Sequence, residues 1–217
     1  MLFEQLLNRL NALIAQPLFA LDAHLKMAPL ERVQYLQNYD YSVHNPKSSA
    51  VLSLFYPKND QAYLLLIVRS SYPGVHSSQI AFPGGKRESG DIDLKHTALR
   101  ETNEEVGVKM SEINIVKQWS NIYIPPSNFI VSPFMGITEH TPNFILQAEE
   151  VSAVIELPVC NLLDDRLIQN IKMSTSYAKN IVVPAFVVEE HIIWGATAMI
   201  LNEIKLTVKN VFNDTIL

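Results

Sequence analysis

A single cysteine, Cys160, stands among 217 residues, so no internal disulfide can form, and a reducing compartment fits. Positive charge is also in short supply: 17 lysines and arginines against 22 aspartates and glutamates leave a net charge of −5. The basic residues are scattered, so no nucleic-acid partner held on a basic face is expected. No uncharged run of about 18 residues is present, which argues against a membrane-spanning helix. At the N-terminus Glu4 and Arg9 come early, and no basic stretch leads into an apolar run. A signal peptide is therefore not expected, and the reading is a cytoplasmic protein. Internal repeats and low-complexity linkers are lacking. Glycine is scarce, with seven in all, yet four of them (Gly84, Gly85, Gly90 and Gly107) fall in one stretch.

The length is enough for one sizeable core with a modest extension. Leu2, Leu6, Leu10, Leu13 and Ile14 recur at helical steps up to Pro17, which ends or kinks an amphipathic helix. Pro29 starts a second helical piece over "APLERVQYLQNY". Residues 1–45 thus read as a helical extension packed on the main domain. Leu2, Phe3 and Leu6 either join that packing or face a second subunit in a homodimer. Over residues 46–217 the texture changes. "SAVLSLFYP" and "AYLLLIVRS" read as strands around a "KNDQ" hairpin turn. "INIVKQWSNIYI", "FIVSPFMGIT", "VSAVIELPV" and the two halves of "NIVVPAFVVEEHIIWG" also read as strands. Two helices stand among them, "DLKHTALRETNEEV" and "GATAMILNEIKLTVKNVF". The expected class is α/β (α+β): a mixed β-sheet sandwich flanked by helices.

Chemistry concentrates in "FPGGKRESGDIDLKHTALRETNEEVGV", residues 82–108. Glu101, Glu104 and Glu105 lie at i, i+3 and i+4, so they share one side of a helix. Such spacing is most often a solvated face, and Arg100 with Glu104 makes an ordinary i,i+4 ion pair. The surroundings shift the balance. Gly84 and Gly85 follow Pro83, where the backbone can turn tightly and approach a ligand. Asp91 or Asp93 can cap the helix, and Gly107 stands where it should stop. Crowded carboxylates repel one another, and a hard divalent cation such as Mg²⁺ reverses that cost.

"GGKRESGDIDLKHTALRETNEEVGV" resembles the signature of the Nudix hydrolases. Gly85, Arg100, Glu101, Glu104, Glu105, Gly107 and Val108 match it. Asp91 stands where the family usually has glutamate, one residue further from Arg100 than usual, and Thr102 replaces an aliphatic residue. The resemblance implies a Nudix fold and hydrolysis of a nucleoside diphosphate linked to another group, with Mg²⁺ or Mn²⁺ held by the helix glutamates. Glu101 and Glu105 are then the firmest metal ligands, Glu104 a further ligand or the base, and Arg100 orients a glutamate. A base or extra ligand can also come from a loop outside the signature, where Glu149 and Glu150 stand.

"LLLIVRSSYPGVHSSQIAFPGGK" is similar to the upstream segment of the coenzyme A pyrophosphatase branch of this family. "YIPPSNFIVSPFMG", "EEVSAVIELPV" and "IIWGATAMIL" extend the likeness over Ser49 to Leu201. The branch implies cleavage of coenzyme A to 3′,5′-ADP and 4′-phosphopantetheine. ADP-ribose, NADH or a diadenosine polyphosphate, or binding without turnover, are the alternatives. Arg69, Ser70, Gln79, Phe82 and Pro83 keep the branch pattern, whereas Gly74 and Ser78 replace an arginine and a glycine. Arg69, Phe82, Gly84, Gly85 and Lys86 are the expected substrate contacts, with Lys86, Arg87 or His76 able to replace the missing positive charge. Tyr123, Pro125, Pro126 and Phe129 read as a rigid loop near a cleft mouth. Trp194 and Cys160 are expected to be buried packing residues.

Overall fold

A computed structural model describes residues 1–29, 33, 41–70, 79–174 and 180–213. The "KNDQ" turn behaves as expected. Asn59 and Asp60 both take positive φ, 49° and 60°, the conformation a two-residue hairpin turn needs and these side chains tolerate. It joins β1 (Lys47–Lys58) to β2 (Gln61–Arg69) with Lys58 facing Gln61. β3 (Ile80–Ala81) pairs with the end of β2, and β4 (Gly84–Lys86) with the start of β1.

Helices α1 (Phe3–Asn8), α2 (Leu10–Ala15) and α3 (Ala20–Leu25) precede β1, and α4 (Leu94–Val106) follows β4. Then come β5 (Asn114–Gln118), β6 (Ile122–Ile124), β7 (Phe129–Ile137) and β8 (Val151–Pro158). β7 runs parallel to β1 from Lys47–Phe129 to Phe55–Ile137, and the other pairings are antiparallel, so the large sheet is mixed. A helical turn, α5 (Val159–Leu162), leads to a three-stranded sheet of β9 (Ile168–Met173), β10 (Ile181–Val188) and β11 (His191–Ile193), followed by α6 (Gly195–Asn213).

Both faces of β1 are covered, as expected for a strand with a parallel neighbour. Ala50, Leu52 and Leu54 pack with Ala98 and Val106 of α4. Phe55, Leu64 and Leu66 join the cluster of Met199, Ile204 and Val208 from α6. α4 and α6 thus form the outer layers. Among the described residues, no helix is long and apolar enough to cross a membrane.

Four expectations change here. "INIVKQWSNIYI" is two strands, because Trp119 turns inward and donates its indole Nε1–H to Ser53 Oγ at 2.9 Å. Ser120 beside it donates from its N and Oγ to the buried Glu203 of α6, at 3.0 and 2.6 Å. β9 had no clear signal, since "IQNIKM" is half polar along an edge strand. Cys160 is exposed, because Val159 and Leu162 take the inward positions of that single turn. Phe3 and Leu6 are buried in the core of this chain, so these two do not face a second copy, while Leu2 beside them is 41% exposed.

The first helix is two short ones broken at Arg9, and it stops before Pro17 as expected. The piece expected over residues 28–39 lies mostly outside the described residues. α6 holds the N-terminal segment through polar groups as well as apolar ones. Asn202 Nδ2 donates to Ala23 O at 2.8 Å, and Glu203 Oε1 accepts from Ala20 N at 2.9 Å. Because Leu6 is fully buried, Leu6→Ala should destabilise the whole chain by about 3 kcal/mol in urea unfolding followed by circular dichroism. An unchanged midpoint would show that these helices do not belong to the cooperative core.

Candidate active site

α4 is capped at both ends by the residues its sequence offered. Asp93 Oδ1 accepts from His96 N at 2.8 Å, and Gly107 closes the helix in the left-handed region at φ 76°. Thr102, where the pattern favours an aliphatic residue, is fully buried and donates its hydroxyl to Ala98 O at 2.7 Å. The departure therefore fits an apolar face without leaving a polar atom unpaired.

The three glutamates have different environments. Glu105 is 1% exposed, accepts from Gly84 N at 2.8 Å through Oε2, and lies 3.4 Å from Arg69 Nη1 through Oε1. Burial pushes its carboxyl up to about 7; Gly84 and Arg69 oppose the rise, and the charges of Glu101 and Glu150 add to it. Glu101 is also raised by burial, against the pull of Arg100, whose Nη2 lies 3.0 Å away. Glu104 points outward, with a side chain 56% exposed, and pairs with Arg100 Nη1 at 2.8 Å. The helix thus turns Glu101 and Glu105 inward and leaves Glu104 at the rim.

Arg100 is the organising cation. Its Nε and Nη2 grip Asp91 at 2.9 and 3.1 Å, and Nη2 also donates to Lys86 O at 3.2 Å. Asp91 is buried, does not cap the helix, and accepts further bonds from Glu88 N and Thr97 Oγ1 at 2.8 and 2.9 Å. The Arg100 guanidinium, with these donors and His96, holds the Asp91 carboxyl well below the usual range despite burial. Sequence reading left Asp91 as either a cap or a signature acid, and only folding brings it under Arg100.

Gly84 and Gly85 form the thin wall between the carboxylates and a cavity of about 280 Å³. A Cβ on Gly85 would lie 2.4 Å from the Glu101 carboxylate, and one on Gly84 would lie 2.3 Å from Ala50 O. Neither position has room for a side chain. The five expected substrate contacts, Arg69, Phe82, Gly84, Gly85 and Lys86, all line this cavity. Arg69 Nε is buried with no hydrogen-bond partner among the described residues.

Of the loop expected near a cleft, Pro126 and Phe129 line the cavity and Tyr123 and Pro125 do not, while Ile124 and Ser127 beside them do. Trp194 corrects an expectation: it is half-buried on the cavity wall and does not belong to the core. Sequence reading missed Ile80, Ala196, Thr197 and Ile200. The run of small residues opening α6 was the available signal, since small side chains leave space. Gly74, His76 and Ser78 lie outside the described residues.

The loop acids separate as well. The extended chain after Pro142 docks on α4 through Gln147 N to Glu105 O at 3.0 Å. Ser70 then fixes the following turn, with N to Glu150 O at 2.8 Å and Oγ to Ala148 O at 3.0 Å. Glu150 is exposed, and its charge is felt at both Glu101 and Glu105. Glu149, also exposed, is not among the groups that act on them.

As the side chains stand, no three acidic, histidine or cysteine groups among the described residues form a cage for an ion. Glu101 is held by Arg100 and Glu105 by Gly84. The donor chemistry nevertheless fits a hard divalent cation. Two inward carboxylates have raised affinity for positive charge, a third acid is within electrostatic reach, and the donors are oxygens.

Residues 46–170 match the NUDIX domain family. The chain is 32% identical over 157 residues to the human protein named mitochondrial coenzyme A diphosphatase NUDT8, covering 71% of this chain and 66% of that protein, just under two thirds. It is 30% identical over 184 residues to the Nudix hydrolase NudL of an Enterobacter species, covering 82% of this chain and 92% of that one. Among solved structures, a MutT/nudix family protein from Enterococcus faecalis superposes with a TM-score of 0.51 at 16% identity, covering 90% of this chain and 73% of that one, a likeness of fold.

Because Asp91 sits below its ordinary value, its pair with Arg100 adds stability at pH values above about 4, and that stability drains away as the medium becomes more acidic. Asp91→Asn should therefore cost about 3 kcal/mol at pH 7. The gap to the parent protein should shrink as the pH falls below about 4, as measured by urea unfolding across pH. A gap that stays constant down to pH 2 would contradict the assignment.

Proposed function

The chain belongs to the Nudix family, and we propose that it is a metal-dependent pyrophosphatase that cuts the phosphoanhydride of coenzyme A or a derivative, giving 3′,5′-ADP and 4′-phosphopantetheine. The observation that carries this reading is the contact of the inward carboxylates of Glu101 and Glu105 with the far side of the Gly84–Gly85 wall of the cavity. The coenzyme A pattern around Arg69, Phe82 and Pro83, and the activity in the name of the human relative, support the substrate.

Glu101 and Glu105 would hold Mg²⁺ or Mn²⁺, with Glu104 as a further ligand. When bound, the ion supplies neutralisation of the pyrophosphate charge and fixes its oxygens for in-line displacement. Arg100 does not touch substrate in this scheme. Its grip on Asp91 fixes the guanidinium, which in turn positions Glu101. Arg69 presents a donor to the phosphates, and its Nε lacks another partner among the described residues, while Gly84 and Gly85 let the chain approach them closely.

Glu150 is the proton acceptor in this scheme. Water attacks phosphorus, the anhydride P–O bond breaks, and the water proton passes to a Glu150 carboxylate oxygen. Glu150 stands on a solvent-exposed turn within electrostatic reach of the cluster, which suits a group that must take up a proton and then release it.

The second reading is another nucleoside diphosphate derivative, such as ADP-ribose, NADH or a diadenosine polyphosphate. Gly74 and Ser78, which depart from the coenzyme A pattern, favour it. A panel of these substrates with Mn²⁺ separates the two. Coenzyme A should be cleaved with the highest kcat/KM; a higher value for any other compound would displace it.

Glu105→Gln should lower turnover roughly hundredfold and abolish the rise in melting temperature on adding Mn²⁺. The metal-free melting temperature should stay level or rise, because a neutral amide is easier to bury than a carboxylate. Gly85→Ala should also lower activity, since its Cβ has to push the Glu101 carboxylate aside. Parent-like kinetics in both variants would refute the assignment.

A further inference from the structure

Strand β8 begins beside the carboxylates with an irregularity. Val68 of β2 faces Ala153, but the next residue, Arg69, faces Val151, so Ser152 is an extra residue between two paired ones. This is a β-bulge, a feature that bends the chain and re-aims the residues beside it. Ser152 Oγ donates to Val68 O at 3.0 Å and fastens the bulge to β2.

The turn of residues 148–150 lies just before the bulge. It closes on itself through Glu150 N and Val151 N, which donate to Gln147 O at 2.9 and 2.8 Å. Toward α4, Ile145 N donates to Val106 O at 2.9 Å and Gln147 N to Glu105 O at 3.0 Å. These are main-chain bonds, which most side chains would permit. Toward β2 the turn meets Ser70, whose N donates to Glu150 O at 2.8 Å and whose Oγ donates to Ala148 O at 3.0 Å. The hydroxyl bond, unlike the others on this turn, requires a particular side chain. Arg69, the residue before Ser70, lines the cavity and lies 3.4 Å from Glu105 through Nη1. The end of β2 therefore touches the cavity, an inward carboxylate and the turn that carries Glu150.

We infer that Ser70 is a positioning residue for the proton transfer: its N–H and hydroxyl hold the turn so that Glu150 stays within reach of the attacking water, while Ser152 keeps the following strand from slipping. This rests on the reading of Glu150 as proton acceptor and adds the residue that acts through it. A base must lie within hydrogen-bond reach of the proton it takes, and small displacements cost rate steeply. The Glu150 side chain is exposed, so the backbone of its turn decides where the carboxylate can reach. The Ser70 hydroxyl bond is exposed too, and water can take its place, so losing it should disturb position more than stability.

The test is a double-mutant cycle on turnover with Mn²⁺, using the panel substrate with the highest kcat/KM. Ser70→Ala should lower kcat about tenfold. KM, the Mn²⁺ concentration for half-maximal turnover and the melting temperature should hold. Ser70→Thr, which keeps the hydroxyl, should recover most of the loss. Glu150→Gln should lower kcat about hundredfold. Adding Ser70→Ala to it should cost nothing more, because Ser70 then has no carboxylate to place. Without metal, hydrogen exchange in residues 147–151 should be faster in Ser70→Ala than in the parent protein.

Parent-like kcat in Ser70→Ala, an undiminished tenfold loss in the Glu150→Gln background, or unchanged exchange in residues 147–151 would overturn the inference. The two readings fail separately. Parent-like turnover in Glu150→Gln removes Glu150 as the acceptor and this role of Ser70 with it. A large loss in Glu150→Gln beside normal turnover in Ser70→Ala removes the role of Ser70 alone.

Discussion

Burial of the Glu105 carboxylate against the backbone N–H of Gly84 is the contact on which the rest of this site depends. It joins the last turn of α4 to the shortest strand segment beside β1, and glycine at that strand position is a steric requirement. It also leaves a carboxylate in a poorly solvated place, with its proton affinity raised and a second glutamate close by. Such an arrangement persists because α4 is held independently, through Ala98 and Val106 in the core, the Asp93 cap and the Gly107 stop. Packing and capping hold the helix while its inward acids remain under electrostatic stress, a stress that positive charge would relieve.

Arg100 shows how one cation divides a charged cluster. By gripping the buried Asp91 it cannot move with the glutamates, so Glu101 and Glu104 arrange themselves around it. Asp91 is in turn saturated by Thr97, Glu88 and His96. The network runs from loop to helix and back to β4 through Lys86 O. The charge pattern and the glycine wall are thus two parts of one rigid unit. α6 plays the corresponding part on the other face of the sheet. Its first turn shapes the cavity, and Glu203 further along ties together the N-terminal segment and the turn before β6.

Much of this was legible in the chain. Period-two strands, the Asn59–Asp60 turn, the helix ending at Gly107 and the acidic pattern around Arg100 are local features, and local sterics decide them. The expected cavity contacts also proved to lie together, because Arg69, Phe82 and the glycine pair are neighbours through the β2–β3 pairing. The division of labour among the acids was not legible. Helical spacing places Glu101, Glu104 and Glu105 on one side, but cannot say that Glu105 is enclosed while Glu104 meets solvent. Nor could spacing tell that the charge of Glu150, and not that of Glu149, is felt at Glu101 and Glu105.

The sequence by itself determined the element types, the family and the group of residues within which the chemistry lies, because these follow from interactions a few residues apart and from a spaced motif. Tertiary structure alone decided that Asp91 serves Arg100, that Trp194 faces a cavity while Cys160 faces solvent, and that the start of α6 lines that cavity. Each of those outcomes depends on which surfaces meet across the sheet, and burial, desolvation and cavity shape have no value until distant segments are brought into contact.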